Sequence, residues 1–354
     1  MKRWAHLSLS LLAIFALIAL VGCEGDQGPA GPAGEQGPPG EDGADGVNGR
    51  APAVCLDCHT SASFVQLALE YVQSHHNEGL YVGYAGGRDR CARCHSKQGF
   101  IEYAVTGEVQ ENIPNPAPID CATCHAVHPT VGDMTLRLAG PVSMIWDPTY
   151  MLDFGDNGNN CANCHQSRRP EPNIAEPGET FEITSVHYGP HHGAMSNVLE
   201  GVGFAEIAGS TPYPEPSTAS GHLSVGVTCI TCHMTDYADN TGGHTWWPSL
   251  DACGCHGTVT DFDVNGFQTE TANKLDQLRD QLLELGVIEW VEEDQAYEPV
   301  LGTYPMDQAQ AFFNWIGLYE DRGPFRIVGL CRHQGVHEIG YAVFGVGRCG
   351  LFVQ

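Results

Sequence analysis

The sequence predicts a loop-rich fold, mainly α-helical with little strand, whose interior is filled by something other than aliphatic side chains. Residues 51–261 are rich in Gly, Pro, Asn and His and show little sustained periodicity. The 354-residue chain also holds 15 cysteines and 17 histidines, an unusually large number of thiols and imidazoles. Only the last quarter carries long amphipathic stretches, and these predict a C-terminal helical hairpin.

The charge balance excludes two classes of partner. The chain has 16 Lys and Arg against 43 Asp and Glu, a formal net charge of −27. A nucleic-acid-binding protein needs a basic face, which this chain has few residues to build. The same balance argues against electrostatic docking on an anionic membrane.

The first residues predict export and a lipid anchor. Lys2 and Arg3 precede an apolar run over 7–21 that is too short to span as a mature helix, so residues 1–22 are predicted to be a signal peptide. The segment 20–23 resembles the bacterial lipobox, which implies lipidation of Cys23. The alternative is an ordinary signal peptide with an incidental cysteine. Glu24 does not match the inner-membrane retention signal, which favours the outer membrane or cell surface over a periplasm-facing anchor.

Residues 23–50 are predicted to be a tether. Glycine occupies every third position from Gly25 to Gly49, a pattern that resembles collagen, where only glycine fits the crowded axis of three chains. A homotrimeric stalk and a monomeric extended tether both remain open. In either form, about 25 residues at about 3.1 Å each reach about 75 Å from the lipid.

The region 51–262 is predicted to be one domain with few regular elements. One helix is expected over 62–74, with an apolar face formed by Val65, Leu69 and Val72. Because aliphatic runs are otherwise scarce here, aliphatic side chains cannot fill the interior of this domain, and another group must fill it.

Residues 263–321 are predicted to form the C-terminal helices. One runs over 271–285 with a leucine stripe and ends at Gly286, and the other runs over 305–319. The tail, 322–354, has no helical period and holds the stray residues Cys331, His333, His337 and Cys349. A frameshift near Arg322 and simple divergence are both open explanations.

Five copies of Cys-Xaa-Xaa-Cys-His carry the chemistry, and we number them one to five. This is the pattern of c-type haem attachment, in which two thiols form thioethers to the haem vinyl groups and the histidine becomes the proximal iron ligand. The copies are Cys55, Cys58 and His59; Cys91, Cys94 and His95; Cys121, Cys124 and His125; Cys161, Cys164 and His165; and Cys229, Cys232 and His233.

Zinc ribbons, redox dithiols and disulfides explain this pattern less well. Paired dithiols account for the ten cysteines but not for a histidine after each second one. Zinc sites tend to use cysteines in fours and then leave the extra histidines without a role. The sequence therefore predicts five haems c.

A sixth, irregular site is predicted at Cys253, Cys255 and His256. The thiol–histidine pair is intact, but the first cysteine is one residue too close. Haem would attach through Cys255 alone, or through both cysteines with strain, and the alternative is a loop without haem.

Distal iron ligands are expected among the histidines outside the motifs, because their number allows bis-histidine ligation of six haems. We leave open the choice within the doublets 75–76 and 191–192. Met234 is expected to pack against haem rather than to ligate iron. The candidates are His75, His76, His128, His187, His191, His192, His222 and His244.

The chain resembles the multihaem c-type cytochromes of the class around cytochrome c-554 and the ammonia-forming nitrite reductases. The resemblance covers about residues 55–320. It is carried by CARCHSKQGF at 91–100, VHYGPHHGAM at 186–195, CITCHM with GGHTWW within 229–247, and AQAFFNW at 309–315. It implies a multihaem cytochrome c fold with a haem-packed core, in which haems stack in parallel and perpendicular pairs inside a loop-rich wrapper.

The sequence departs from that class in two ways. The nitrite reductases hold their catalytic haem with a lysine in place of the motif histidine, whereas all five regular motifs here end in His. The segment after Asp321 also lacks the closing helix of the class. The resemblance therefore implies a cytochrome without a catalytic lysine-ligated haem.

These patterns predict an electron carrier rather than an enzyme. It would pass single electrons through bis-histidine haems at the cell surface, in extracellular or periplasmic respiration, to a redox partner protein or to a metal or mineral acceptor. Two alternatives remain: a reductase of a small nitrogen or sulfur oxyanion, acting at the irregular sixth site, and a subunit of a cytochrome filament.

Overall fold

A computed structural model describes residues 61–126, 135–208, 212–218, 220–236 and 241–319. Several predictions of the sequence lie outside these ranges. They are the signal peptide 1–22, Cys23, the tether 23–50, motif one with Cys55, Cys58 and His59, the candidate ligand His128, and the tail 322–354.

Short helices joined by loops make up the first part of the described chain. Ser74 and Ser96 each begin a helix, because their side chains accept hydrogen bonds from the backbone N–H groups of Asn77 and Gly99, at 3.3 and 3.1 Å. The elements are α1 (Ser61–Tyr71), α2 (His75–Glu78), a π-helical turn (Val82–Gly86), α3 (Asp89–His95), α4 (Lys97–Thr106) and α5 (Cys121–Cys124).

The first helix differs from the prediction in its end and in its buried face. It stops at Tyr71 rather than at residue 74, because Ser74 caps the next helix instead. Val65 and Leu69 are 51% and 58% exposed, whereas Glu70 is buried. The face that packs against the described protein is therefore the polar one.

The middle of the chain has even shorter elements. Two short strands pair antiparallel as a hairpin. The elements are β1 (Val142–Ser143), β2 (Met151–Leu152), α6 (Gly158–Ala162), α7 (Pro172–Ala175), β3 (Thr180–Ile183), α8 (Met195–Glu200) and α9 (Cys229–His233), with 3-10 turns at Leu223–Val225, Gly243–Thr245, Leu250–His256 and Val264–Gly266.

The C-terminal helices are α10 (Phe267–Glu284) and α11 (Met306–Tyr319). The predicted start of the first of them, at residue 271, is wrong by four residues. Its cause is Asp263, whose carboxylate accepts hydrogen bonds from the backbone N–H groups of Gln268 and Thr269, at 2.8 and 3.1 Å, and so stabilises an earlier first turn. The end agrees with the glycine signal, since Gly286 has a φ of +69°.

Three strands separate these two helices, so they do not form a simple hairpin. The strands β4 (Ile288–Val291) and β5 (Ala296–Pro299) pair with each other, whereas β6 (Gly302–Pro305) pairs antiparallel with β3. The helices nevertheless pack together, and Trp315 Nε1 donates to the carbonyl of Leu275 at 3.1 Å.

The apolar core lies in the second half of the described chain. Its larger cluster joins the C-terminal helices to β3 and α8, and a smaller one surrounds β1 and β2. Between residues 64 and 126, the buried apolar side chains of the described structure are those of Ala85, Ala92 and Phe100. No helix in the described ranges has the length and apolar character needed to span a membrane.

Candidate functional site

Three of the motifs lie directly on helical turns. In α3 and α9 the first cysteine, the second cysteine and the histidine follow at intervals of three and one residues, and α5 holds the two cysteines of motif three. Residues three and four apart share one face of a helix. The helical turn therefore brings both thiols and the imidazole of motifs two and five to one side, whereas His125 of motif three follows the end of α5 with extended backbone angles.

The residue before a motif helps to start two of these turns. Asp120 and Thr123 exchange side chain–backbone hydrogen bonds at the start of α5, at 3.2 and 2.9 Å, and Thr228 and Thr231 form the same capping box at the start of α9. The capping pattern could have been found in the sequence, where Asp or Thr stands three residues before Thr in both motifs.

Four motifs converge, with motif four at their centre. Cys164 Sγ lies 3.8 Å from the carbonyl oxygen of Arg93, and Cys94 Sγ lies 3.8 Å from that of Asn163. The two thiols share a hydrogen bond that lowers the pKa of Cys94 and raises that of Cys164. Motifs two and four are therefore in direct contact.

Motifs three and five contact motif four around its first cysteine, Cys161. The thiols of Cys161 and Cys229 share a hydrogen bond, which lowers the pKa of Cys161. Asn160, which precedes Cys161, hydrogen-bonds to Cys124 of motif three, although burial raises the pKa of that thiol. The attachment points of four predicted haems thus lie side by side.

Two histidines outside the motifs, His191 and His192, contact each other. Four further imidazole contacts among the described residues each join one histidine of a motif or of the irregular sixth site to one histidine outside them. All eight were predicted as iron ligands from the sequence. The separations of ring centroids are 5.9 Å for His95 with His191, 6.2 Å for His165 with His76, 6.4 Å for His125 with His244, and 5.9 Å for His256 with His222.

These separations fit two axial ligands of one iron. A metal–nitrogen bond of about 2 Å on each side, with about 1.1 Å from nitrogen to ring centre, puts the two centroids about 6 Å apart. A direct hydrogen bond between ring nitrogens would bring them to about 5 Å. The residues present therefore fit bis-histidine haem.

Hydrogen bonds to backbone carbonyls determine which ring nitrogen is free to bind a metal. His233 Nδ1 donates to the carbonyl of Trp246 at 2.8 Å, and His191 Nδ1 donates to that of His192 at 3.0 Å. The backbone of Gly193 forms a hydrogen bond with His165. A carbonyl only accepts, so Nδ1 carries the proton in His233 and His191, and Nε2 keeps its lone pair for iron.

Burial favours the neutral form of several of the paired imidazoles, although the rings lie at open clefts. Burial lowers the pKa of His76 and His191 to about 4, so both are neutral at pH 7. Burial also lowers the pKa of His95, His165, His222, His233 and His244. None of the eight paired rings is fully buried, and His165 and His256 are exposed. Rings that the protein surrounds but water still reaches line clefts rather than a packed core.

One such cleft lies beside His244. It has a volume of about 320 Å³ and is also lined by Glu70 and Met234. Glu70 fixes the position of His244, because its Oε2 accepts from the His244 backbone N–H at 3.1 Å. Burial raises the pKa of Glu70, but this and other hydrogen bonds lower it overall.

Trp246 is a positioning residue that the sequence reasoning missed. Its ring centroid lies 4.7 Å from that of His76 and 5.7 Å from that of His244, while its carbonyl accepts from His233. One residue thus contacts ligand candidates from three sites. Its φ of +54° is unusual for a bulky side chain and marks a backbone held by its surroundings.

The remaining candidates take other positions. His75 Nδ1 lies 2.9 Å from Glu78 Oε2, and its ring is 5.1 Å from that of Trp247. His192 lies beside His191, with ring centroids 5.5 Å apart, and His187 is exposed. The distal ligand of motif five therefore stays a prediction among His75, His128, His187 and His192.

The irregular sixth site lies in the 3-10 turn Leu250–His256, and His222 faces its histidine. Cys253 has non-helical backbone angles, with φ −81° and ψ 20°, so the turn is kinked at this cysteine. Ala252 occupies the position where the regular motifs have their first cysteine. Cys255 alone keeps the regular relation to the histidine.

The structure holds no group of three or more His, Cys, Asp or Glu side chains, within its described ranges, that is arranged to bind a bare metal ion. Comparisons with protein-family models, with curated proteins and with solved structures found no significant match to this chain.

Proposed function

We propose that this chain is an electron-transfer multihaem c-type cytochrome with five haems at the regular motifs and a sixth at Cys255 and His256. The observation that carries the proposal is the set of four imidazole pairs, each joining a motif histidine to a histidine far away in sequence at about the separation of two axial ligands. The remaining imidazole contact of the described residues is between chain neighbours, His191 and His192.

Haem bound at these sites supplies a one-electron Fe³⁺/Fe²⁺ couple. The motif cysteines would hold it covalently and the histidine pairs would ligate its iron, so that at those four sites no position would remain for a substrate. Donation from Nδ1 to a backbone carbonyl makes Nε2 more basic, which favours the oxidised state and a low potential.

The contacts among motifs support a relay rather than isolated carriers. Motif four touches motif two through Cys164 and Cys94, and motif five through Cys161 and Cys229. Cofactors attached to neighbouring cysteines lie close together, so an electron passes between them without a diffusing carrier. The haems bound to one chain would thus form the path for the electron.

The proposed setting is the cell surface or the outer membrane. Lipidated Cys23 would hold the protein there, and the glycine-repeat tether, as monomer or trimer, would set its distance from the lipid. A net charge of −27 favours a basic redox partner or a cationic metal or mineral acceptor. The position of His222 opposite His256 favours this carrier over a reductase with an open sixth site.

The proposal is tested by the intact mass of the mature protein. We expect six covalently bound haems, five of them attached through two thioethers each. A chain produced with the cytochrome c maturation machinery that carries no haem, or that carries zinc instead, would contradict the proposal.

A further inference from the structure

Four arginines gather where motifs two and four meet, in a chain with only 16 basic residues. We call Arg90, Arg93, Arg168 and Arg169 the arginine cluster. Arg93 lies inside motif two, and its carbonyl accepts from Cys164 Sγ of motif four. The charges of Arg90 and Arg169 act on Arg168, whose pKa is lowered by burial and by these neighbours.

No carboxylate forms an ion pair with this cluster among the residues that the structure describes. The ion pairs there involve His75, Lys97, Lys274 and Arg279, and none involves the cluster. Arg93 Nε and Nη2 are buried without a hydrogen-bond partner, while the guanidinium stacks on Tyr103 at 3.8 Å. Buried guanidinium donors are costly without an acceptor, so this place suits an anion.

We propose that the arginine cluster binds the propionate carboxylates of the haems at motifs two and four. This inference rests on the proposed function. A guanidinium presents a planar fork that matches a carboxylate, and haem brings two carboxylates with it. The cluster adjoins the thiols and ligands of these two motifs, since the charge of Arg168 acts on Cys91, Cys94, His95 and His191.

The consequence is a higher reduction potential at this pair of haems than at the others. Unpaired carboxylates near an iron stabilise its oxidised, more positive state, and a bound guanidinium cancels that effect. The structure has no comparable group of cations beside the described ligands of the other sites. Electrons entering the relay would therefore collect at motifs two and four.

The test is a redox titration of the purified holoprotein, followed by visible absorbance, for wild type, Arg93→Gln and Arg168→Gln. We expect each variant to keep its full haem count and to lower the reduction equilibrium constant of one or two haems about tenfold, about 59 mV for a one-electron couple. Lys274→Gln, which removes the same charge from α10, is the matched control and should leave all potentials unchanged. Arg93→Lys keeps the charge without the fork and tests the same site if Arg93→Gln fails to fold.

The other source of an anion is a soluble oxyanion, and the same titration is repeated with added nitrite and with added sulfite at constant ionic strength. Potentials that are independent of both anions support the propionates. The inference is overturned if the arginine variants shift no more than Lys274→Gln, or if either anion shifts wild type but not the variants. In both cases the haems are present, whereas a protein without haem would refute the proposed function instead.

Discussion

Replacing His191 by glycine is expected to open one iron of the reduced protein to carbon monoxide. His191 faces His95 at 5.9 Å and would be the distal ligand of motif two. Its φ is +88°, a conformation that glycine adopts without strain, so the backbone should tolerate the change. Carbon monoxide difference spectra should show about one ligand bound per chain, against almost none in wild type. The oxidised variant should gain one high-spin haem in its EPR spectrum.

Added imidazole provides the control for this variant. It should occupy the vacated position, restore the low-spin signal and suppress carbon monoxide binding, because the defect is one missing imidazole. A His191→Gly protein that retains all its haems, stays fully low-spin and binds no carbon monoxide would show that another residue ligates this iron.

Replacing Cys255 by serine is expected to remove one haem from the protein. The site has one cysteine in the regular position before His256, while Cys253 is one residue too close and lies at a kink in the turn. Intact mass should fall by one haem in Cys255→Ser and remain at six haems in Cys253→Ser, which is the matched control. The ligand pair alone would hold haem only reversibly.

Two results would contradict this view of the sixth site. If Cys255→Ser keeps six covalent haems, its thioether does not exist. If Cys253→Ser loses the sixth haem as well, both cysteines are needed and the turn must rearrange to bring them together.

The local geometry of the motifs could be predicted from the sequence, because it depends on residues that are neighbours in the chain. The spacing of cysteines and histidine follows from the period of a helical turn, and α3, α5 and α9 contain such turns. The pool of distal ligands was also predictable, since few other histidines remain once the motifs are counted.

The pairing of ligands was not predictable, because it depends on packing between distant segments. His75 and His76 are adjacent on α2, about 100° apart around the helix, and only the packing of that helix decides which one faces motif four. The structure places His76 opposite His165 and turns His75 toward Glu78. Trp246, whose ring or carbonyl touches ligand candidates of three sites, carries no local signal at all.

In the C-terminal part, too, a local element could be predicted from the sequence and the long-range pairing could not. The leucine period located helix α10, but its start depends on the side chain of Asp263, which lies outside the periodic stretch. The pairing of β3 with β6 joins residues more than a hundred positions apart, and four-residue strands leave a weak pattern in sequence. Whether such strands form depends on pairing between distant segments, and the periodicity of the sequence does not reveal that pairing.

The central claim is that this chain holds its haems between histidine pairs as a relay for electrons. Carbon monoxide binding to the reduced wild-type holoprotein tests it most directly, because the gas binds only an iron with a vacant or labile axial position. The account predicts a reduced Soret band that hardly changes on addition of carbon monoxide, with six haems present. A large spectral change, accompanied by a strong high-spin EPR signal in the oxidised protein, would contradict it and would indicate an enzyme with an open haem.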